Sequence, residues 1–590
     1  MTSRDQNALR VGQFSAYYGD RHTAVQELIA SDCEVLTGDY LAELTMLVLR
    51  KNQMRGGVGY AEGFLHQVRD NLADIKARGI KLVTNAGGLE PEACATRLRE
   101  LTAELGIDLD IIAVSGDNQI DSLTELREAG ATFANIDTGE ILDIDKQPVL
   151  TANAYLGAWP IVAALRQGAD IVICPRVTDA ALVIGAAAWK FDWAADDWDA
   201  LAGALVAGHV IECGCQATGG NYANFDDFAD LGLPGMPIAE IRADGSAVIT
   251  KSHGSGGVVD IGTVTAQLLY EVGSRYYHNP DVIADLASTE LERVGPDRVL
   301  VKATKGLPPT AQLKLSLAYE GGYRNQVTIG LTGGRIEQKE AWLRQQVTAA
   351  VGAPESFDGF RWTRIGPVTP TAGSYDESTA FIVINAKDKD RGRVSRVNFS
   401  DRITQLGTSS IPGFYTFTPP AKERLFGVQW PTLIPKAVVE QAIVLADGTR
   451  IGVPWPASGT ELPPPDTEPV DDTPVVVAGP VVSTRLDAFI GTRSGDKAGL
   501  ANLGVWAETD DAFEWLRAFL TVDKLKELLT EARDLTVHRH VFPKLRAMNF
   551  LVHGWLEEGV ASSTRVDAQA KGLGEFLGSM TVEAPARLVS

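Results

Sequence analysis

Two short stretches of the sequence combine glycine pairs with side chains that can transfer protons or attack a carbonyl carbon. The first spans residues 209–224 and carries Glu212 and Cys213. The second spans residues 251–257 and carries Lys251 and His253. Side chains of these types act as general acids, general bases and nucleophiles. We therefore predict a small-molecule active site whose candidate catalytic residues are Glu212, His253, Lys251 and Cys213.

The glycine pairs in both stretches are predicted to bring backbone N–H groups close to a ligand. Glycine tolerates positive φ and close backbone approach, and successive N–H groups can form an anion-binding concavity. Two such turns would suit a carboxylate or the phosphates of coenzyme A, although turns also use glycine without any ligand. The residues assigned to this cradle are Thr218, Gly219, Gly220, Asn221, Ser255, Gly256 and Gly257.

Residues 9 to about 215 alternate between short apolar runs and amphipathic stretches, including a helix predicted over residues 60–78. This alternation predicts an α/β core with a mainly parallel sheet. Ligands in such sheets bind beyond the carboxyl ends of the strands. The substrate-binding candidates at these ends are Asp39, Glu43, Asn85, Gly87, Gly88 and Asp179, and Asp117, Asn118 and Arg176 occupy similar positions. Taken singly, Asp39 or Asp179 could equally be a helix N-cap.

The later part of the chain predicts further domains. Residues of about 290–450 read as an α+β subdomain of a core that spans residues 1–453, with a hairpin turn at residues 319–323. The proline-rich residues 454–483 predict a semi-rigid linker. Residues 484–590 predict a small α+β domain with a helix over residues 511–529. Its segment from Arg493 to Lys497 could cap a helix or hold an anion.

Composition excludes several classes of protein. The formal net charge is −22, from 54 basic and 76 acidic residues, which disfavours binding to nucleic acid or to an anionic membrane. The sequence lacks an apolar run long enough to span a membrane and an N-terminal signal peptide. The five scattered cysteines suit a reducing compartment. We therefore expect a cytoplasmic homo-oligomer that binds neither nucleic acid nor membrane.

The sequence motifs also bear on cofactors and metals. The P-loop pattern and the dinucleotide-binding fingerprint are both missing, so we expect no cofactor. Cys213 and Cys215 are closer together than the usual zinc pair, although His209 and His253 would bring the number of candidate ligands to four. We expect no metal, and keep one alternative, a metal-dependent hydrolase using Asp39, Asp179, Cys213 and His253.

Several of these motifs, taken in order, resemble the acyclic terpene utilisation family of AtuA-like proteins. The matching segments are residues 38–43, 85–88, 178–179, 212–221, 251–257 and 268–271, together with residues 280–281. Residues 493–497 and 502–504 resemble the ferredoxin-like domain that is often fused to this family. The resemblance implies a catabolic enzyme that acts on a branched or medium-chain acyl-CoA, or on a branched carboxylate, as a lyase or hydratase. It also implies a biotin-dependent acyl-CoA carboxylase as a possible partner.

A lyase or hydratase of this kind needs a general base and a site for an enolate oxygen. Either Glu212 or His253 would be the base, and Asp39 and Asn85 would orient the substrate. Lys251 would hold the oxyanion and the phosphates, together with the amides of Gly219, Gly220, Gly256 and Gly257. The alternative from another class is a non-catalytic partner of the acyl-CoA carboxylase.

Overall fold

The apolar runs near the start of the chain are buried strands in the computed structural model of the protein. The predicted linker lies largely outside the described residues, so its extended character stays a prediction. The structure describes residues 7–228, 232–366, 371–459 and 479–589. The chain divides into a first unit, Met1–Leu317, Trp430–Trp555 and Ala570–Ser590, and a second unit, Ala318–Gln429 and Leu556–Gln569.

Strands are numbered in chain order. They are β1 (Leu9–Ser15), β2 (Val35–Gly38), β3 (Lys81–Thr84), β4 (Ile111–Ser115), β5 (Val149–Ala154), β6 (Ile171–Ile173), β7 (Pro237–Ile241), β8 (Ala247–Lys251), β9 (Tyr276–His278), β10 (Ile283–Asp285), β11 (Glu290–Gly295), β12 (Arg298–Lys302), β13 (Lys305–Leu307), β14 (Gln312–Thr332), β15 (Gly359–Ile365), β16 (Thr379–Asp388), β17 (Tyr415–Thr416), β18 (Arg424–Pro435), β19 (Gln441–Val444), β20 (Arg450–Val453), β21 (Val481–Arg485), β22 (Ile490–Lys497), β23 (Leu500–Ala507), β24 (Val537–Phe542), β25 (Ala547–Val552) and β26 (Thr581–Pro585).

Helices are numbered in the same way. They are α1 (Ala24–Ile29), α2 (Glu43–Gln53), α3 (Glu62–Arg69), α4 (Leu72–Arg78), α5 (Pro91–Glu104), α6 (Leu123–Glu128), α7 (Trp159–Arg166), α8 (Ala181–Phe191), α9 (Trp198–Glu212), α10 (Ile261–Leu269), α11 (Ile336–Val351), α12 (Asp401–Thr404), α13 (Asp510–Phe519), α14 (Val522–Leu528) and α15 (Leu573–Gly578). Within the part of the chain that the structure describes, no helix has both the length and the apolar character needed to cross a membrane.

The first unit is built on an eleven-stranded sheet in the order β11-β12-β8-β7-β1-β2-β3-β6-β4-β19-β20. Strands β1, β2, β3, β6 and β4 are parallel, which confirms the predicted α/β class for this region. Antiparallel strands extend the sheet on both sides, so the whole sheet is mixed. The parallel centre matters for function because the carboxyl ends of its strands meet at one edge.

Helices cover this sheet because its central strands are apolar on both faces. Leu36 and Leu82 pack in one cluster with Val25, Phe64 and Leu98 from α1, α3 and α5. Helices α7, α8 and α9 contact the same sheet. Every residue of α9 from Leu201 to its last residue is buried. A helix that is apolar nearly all round belongs in a protein interior, so the polar residues at its end need local partners.

Two segments that were each predicted to form one helix form two consecutive helices in the structure. The segment predicted over residues 60–78 breaks between α3 and α4 at Asp70 and Asn71, residue types that favour helix ends over helix interiors. The segment predicted over residues 511–529 breaks between α13 and α14, where the Thr521 hydroxyl accepts a hydrogen bond from the N–H of Lys524. At this second break, polar capping thus outweighs the continuous apolar spacing.

The C-terminal part of the first unit contains a four-stranded antiparallel sheet in the order β22-β23-β25-β24. This sheet contacts α10 of the core, and it does so closely because glycine faces the helix at two positions. A Cβ on Gly504 would lie 2.6 Å from Leu269, and one on Gly495 would lie 2.2 Å from Tyr270. The sheet therefore docks beside the segment that follows α10.

The second unit contains β15, β16, β14 and β17 in one sheet, with β18 also paired to β14. Ile329 and Ile384 pack there against Leu343 of α11 and Phe399. The predicted hairpin turn at residues 319–323 is wrong, because β14 runs straight through it. Its glycine pair instead permits close approach of neighbouring backbone and rings: a Cβ on Gly321 would lie 2.4 Å from Phe426.

Candidate active site

Polar residues that follow three parallel strands meet at the carboxyl edge of the large sheet. Asp39 follows β2, Asn85 follows β3, and Arg176 lies just beyond β6. The Asn85 amide donates a hydrogen bond of 2.6 Å to Oδ1 of Asp39 and accepts one of 2.8 Å from the N–H of Tyr40. Adjacent parallel strands thus bring the predicted Asp39 and Asn85 together through their side chains.

Arg176 is the buried cation of this edge. Its Nη1 lies 2.6 Å from Oδ1 of Asp179, and its guanidinium lies 4.2 Å from the centre of the Tyr155 ring. Burial and the charge of Asp179 both raise the pKa of Asp39, and the positive charge of Arg176 only partly offsets them. Asp39 is therefore a carboxyl group that tends to stay protonated beside an ionised pair.

Glu43 and Lys314 form a second ion pair that also contacts Tyr155. The Lys314 ammonium lies 3.0 Å from Oε1 of Glu43 and 4.6 Å from the centre of the Tyr155 ring, and the Tyr155 hydroxyl also donates to Glu43. Burial alone would raise the pKa of Glu43, but the charges of Lys314 and Arg176 outweigh it and lower that pKa far below its ordinary value. Burial raises the pKa of Tyr155 to about 12.

These charged side chains line a space that solvent can reach. Lys314 exposes 32% of its side chain, Glu43 27% and Asp179 24%, although desolvation is the largest influence on the pKa of both Lys314 and Glu43. Groups that are strongly desolvated and still accessible are typical of a concave site.

Glu212 and His209 form a buried pair one helical turn apart at the end of α9. Nδ1 of His209 lies 3.0 Å from Oε1 of Glu212, and the two side chains are only 1% and 7% exposed. Burial, followed by the charges of Asp179 and Glu271, raises the pKa of Glu212 well above its ordinary value. Burial lowers the pKa of His209 to about 4. Burial therefore favours the uncharged form of both groups, the carboxylic acid of Glu212 and the neutral imidazole of His209.

Three buried polar atoms of this cluster have no hydrogen-bond partner among the described residues. They are Oε2 of Glu212, Nε2 of His209 and Nε of Arg176. Buried polar groups are costly unless they are hydrogen-bonded. These atoms therefore mark the place where water or a ligand completes the site.

The C-terminal domain contributes to the same cluster through the segment after α10. Glu271 has a left-handed backbone with φ of 58°. Its N–H donates a hydrogen bond of 2.8 Å to Oδ1 of Asn502, and its carbonyl accepts one of 2.6 Å from the Lys497 ammonium. A non-glycine residue in this conformation is strained and needs such support. The tail thus fixes the backbone of an acidic residue next to Glu212.

The predicted Lys251 and His253 lie apart from this cluster. The Lys251 ammonium donates to the carbonyls of Ser255 (2.8 Å) and Gly256 (3.2 Å). His253 is exposed, and its backbone N–H donates to the hydroxyl of Ser31 at 2.9 Å. The structure therefore gives Lys251 a role in holding its own loop, and it does not bring His253 to Glu212.

The backbones of the two glycine turns around these residues are in close contact with neighbouring backbone. The N–H of Gly220 donates to the carbonyl of Cys215 at 2.8 Å, so this predicted anion donor is already occupied. A Cβ on Gly257 would lie 2.2 Å from the carbonyl of Thr218, whose hydroxyl donates to the carbonyl of Gly235 at 2.7 Å. In these turns glycine serves backbone packing.

Each remaining predicted residue either shapes a turn or belongs to the charged cluster. Gly87 and Gly88 form the turn after Asn85, where the N–H of Gly87 donates to the carbonyl of Cys174 at 3.1 Å. Gly219 has a φ of 102°, and Asn221, with a φ of 54°, follows in the same loop. These residues shape turns beside the cluster, while Asp39, Glu43, Asn85, Asp179 and Glu212 belong to it.

The cysteines do not have the properties of nucleophiles or metal ligands. Burial, and then the charge of Glu212, raises the pKa of Cys213 well above its ordinary value, and burial raises that of Cys215 to about 11. Both are protonated thiols at neutral pH. In the described part of the chain, no group of three or more His, Cys, Asp and Glu side chains could hold a metal ion. The hydrolase set of Asp39, Asp179, Cys213 and His253 is therefore not assembled as metal ligands.

Sequence reasoning missed several members of the cluster. Lys314 and Tyr155 come from strands or strand ends outside the parallel centre, and Lys497 comes from the C-terminal sheet. In the Lys314 segment every second residue is an apolar core residue, a pattern that assigns the lysine to solvent. Only the tail segment that ends at Lys497 gave a sequence signal for one of these missed residues, because it was proposed to cap a helix or hold an anion.

A separate cavity of about 310 Å³ lies near the end of α2 and the start of β5. Five of its eight lining residues are polar or charged, and none of the eight belongs to the cluster described above. They are Arg50, Gln53, Leu89, Asn118, Ile120, Asp121, Leu150 and Thr151.

Two family models match the chain. The model described as acyclic terpene utilisation family protein AtuA matches residues 9–445, and the model described as AtuA ferredoxin-like domain matches residues 484–583. No curated protein and no solved structure gives a significant match.

Proposed function

The chain belongs to the acyclic terpene utilisation family AtuA, and from that premise we propose that it is an enzyme of acyclic terpenoid or fatty acid catabolism. Its substrate is a branched or medium-chain acyl-CoA. Its reaction is the addition or removal of water, or cleavage of a carbon–carbon bond, next to the thioester carbonyl. The family match supports the catabolic setting, and the chemistry of the charged cluster supports the reaction type.

The observation that carries the proposal is the buried pair of Glu212 and His209. Hydration, dehydration and retro-aldol cleavage next to a thioester all move a proton to or from a carbon or a hydroxyl group. A carboxyl group whose pKa is raised by burial is a competent proton donor near neutral pH, and its conjugate base is a stronger base than an ordinary carboxylate. Oε2 of Glu212 is buried and has no hydrogen-bond partner among the described residues, so this oxygen keeps its capacity for proton transfer.

The cations around Tyr155 would stabilise the negative charge that develops on the thioester oxygen. Arg176 and Lys314 both contact the Tyr155 ring, at 4.2 and 4.6 Å from its centre. Fixed positive charges in a desolvated site stabilise an enolate far better than the same charges in water. Glu212 then acts as the proton-transfer group, His209 orients it, and Arg176 and Lys314 hold the oxyanion.

The test combines turnover with isotope exchange. The protein is incubated in D2O with straight and branched acyl-CoA thioesters and with the corresponding free acids, and mass spectrometry follows deuterium at carbon, hydration and cleavage. Wild-type protein is expected to act on the thioesters. Glu212→Gln should slow the reaction by about 10²–10⁴ with a nearly unchanged Kd, because it removes a proton-transfer group and keeps the side-chain shape.

The matched control is Glu125→Gln, an exposed glutamate of α6, which should behave as wild type. If wild-type protein binds a thioester without exchange, hydration or cleavage, the enzyme proposal fails and the carboxylase-partner alternative is favoured. If Glu212→Gln reacts at the wild-type rate, the role given to Glu212 is wrong.

A further inference from the structure

Lys497 is a half-buried cation without an acidic contact among the described residues. It is the last residue of β22 in the ferredoxin-like domain, and its ammonium donates to the carbonyl of Glu271 at 2.6 Å. Among the described residues, no carboxylate comes within ion-pair distance of this ammonium. An ammonium group has three donors. Lys497 therefore keeps donors for a partner that the chain itself does not supply.

The groups that influence Lys497 show where such a partner would lie. Burial lowers the pKa of Lys497, and the nearby positive charge of Lys314 is the next cause. The charges of Glu271, Glu43 and Asp137 oppose this effect. Two ammonium groups that repel each other in a desolvated site favour an anion between them.

We propose that Lys314 and Lys497 together bind an anionic group of the substrate, a carboxylate or a phosphate, so that the C-terminal domain completes the active site. This inference deepens the proposed function and rests on it. Lys314 reaches the subsite from β14, and Lys497 reaches it from the tail sheet docked beside α10.

Two observations beyond the charges support this subsite. The side chain of Lys314 is 32% exposed and Lys497 is half-buried, so both ammonium groups can be reached by a ligand. The buried Nε of Arg176 and Nε2 of His209 lack hydrogen-bond partners among the described residues of the same cluster. A bound substrate would satisfy several of these donors together.

The variant that tests the inference is Lys497→Gln. Glutamine removes the charge and keeps an N–H that can donate to the Glu271 carbonyl, so the local backbone support is retained. Lys497→Arg keeps the charge, and Lys146→Gln removes a lysine charge at a side chain that is 81% exposed. Circular dichroism and thermal denaturation establish that each variant is folded.

Calorimetric binding with matched ligand pairs separates the two sources of the anion. Succinyl-CoA and butyryl-CoA differ by a terminal carboxylate, while free CoA and its 3′-dephospho form differ by a phosphate. If the substrate carboxylate binds here, wild-type protein prefers succinyl-CoA and Lys497→Gln loses that preference by about tenfold or more. If the phosphate binds here, the preference for CoA is lost instead. Lys497→Arg and Lys146→Gln should stay within about threefold of wild type.

The inference is overturned if Lys497→Gln keeps both preferences of the wild-type protein, or if wild type shows neither. If wild type binds no thioester, the proposed function fails, and succinate and inorganic phosphate then decide the subsite. Weaker binding of succinate or inorganic phosphate to folded Lys497→Gln than to wild type supports the anion subsite. Equal binding to both proteins, or no binding to wild type, refutes it.

Discussion

Replacing Asp117 by asparagine is expected to stabilise the protein at neutral and alkaline pH and to change little in acid. Asp117 follows β4 and is 3% exposed. Its Oδ2 accepts hydrogen bonds from Nδ2 of Asn153 (2.7 Å) and from the backbone N–H of Arg176 (3.3 Å). Burial outweighs these bonds and raises the pKa of Asp117 to about 7, against an ordinary value of 3.8.

The magnitude follows from the two pKa values. Because the folded-state pKa is the higher one, the folded protein holds this proton more tightly than the unfolded chain. The resulting stability is complete below about pH 4 and is lost as the pH rises to about 7. The difference corresponds to about 4 kcal/mol of unfolding free energy. Asparagine stays neutral and can accept both hydrogen bonds. Asp117→Asn should therefore recover about 2–4 kcal/mol of unfolding free energy at about pH 8, where the lower end allows for the loss of the stronger bonds that a carboxylate accepts.

Urea denaturation of wild type, Asp117→Asn and Asp110→Asn across about pH 5 to 8 measures this effect. Asp110 is exposed and lies at the opposite end of β4, so its variant should follow wild type at every pH. The gap between Asp117→Asn and wild type should widen as the pH rises. A gap that is constant with pH, or a loss of stability at about pH 8, would refute the reasoning.

Three further outcomes are expected. Arg176→Met should destabilise the protein by about 2–4 kcal/mol in urea denaturation, because it removes a buried cation and leaves the partly buried Asp179 without its partner. Destabilisation below about 1 kcal/mol would contradict the ion-pair account. Glu43→Gln should lower the thermal midpoint near neutral pH and approach the wild-type midpoint in acid. The lowered pKa of Glu43 means that its contribution to stability disappears as the pH falls. Thermal scans across pH measure this, and a difference that does not change with pH would count against the pair with Lys314. Cys213 should resist iodoacetamide at about pH 7.5 until the protein is denatured, as mass spectrometry would show, and rapid native alkylation would contradict a half-buried thiol with a raised pKa.

Local signals in the sequence predicted one part of the site and could not predict the other. Asp39, Asn85 and Asp179 were found because each follows a parallel strand, and the rule that strand ends meet needs no long-range information. Lys314 pairs with Glu43 across 271 residues, and its strand alternates like one with a solvent-facing side. No local pattern in that segment distinguishes a site lysine from a surface lysine.

The glycine-rich stretches show a different limit of sequence reasoning. Gly220 and Gly257 have the composition of a ligand cradle, yet their backbones are held by Cys215 and approach Thr218. Glycine permits close approach whether the neighbour is a ligand or another loop, so composition alone cannot separate the two. Glu212 was chosen as a proton-transfer candidate only by its residue type, because its raised pKa depends on the burial of all of α9.

The hydrogen bond between Glu271 and Asn502 also sets an order of events during synthesis of the chain. The two residues are 231 positions apart. At translation rates of about 5–20 residues per second, roughly 10–45 s pass between their additions to the chain. Throughout that interval the strained backbone of Glu271 lacks its support, and the nascent core carries an unfinished set of buried charges. We therefore expect the newborn chain to be catalytically silent until its last hundred residues have folded.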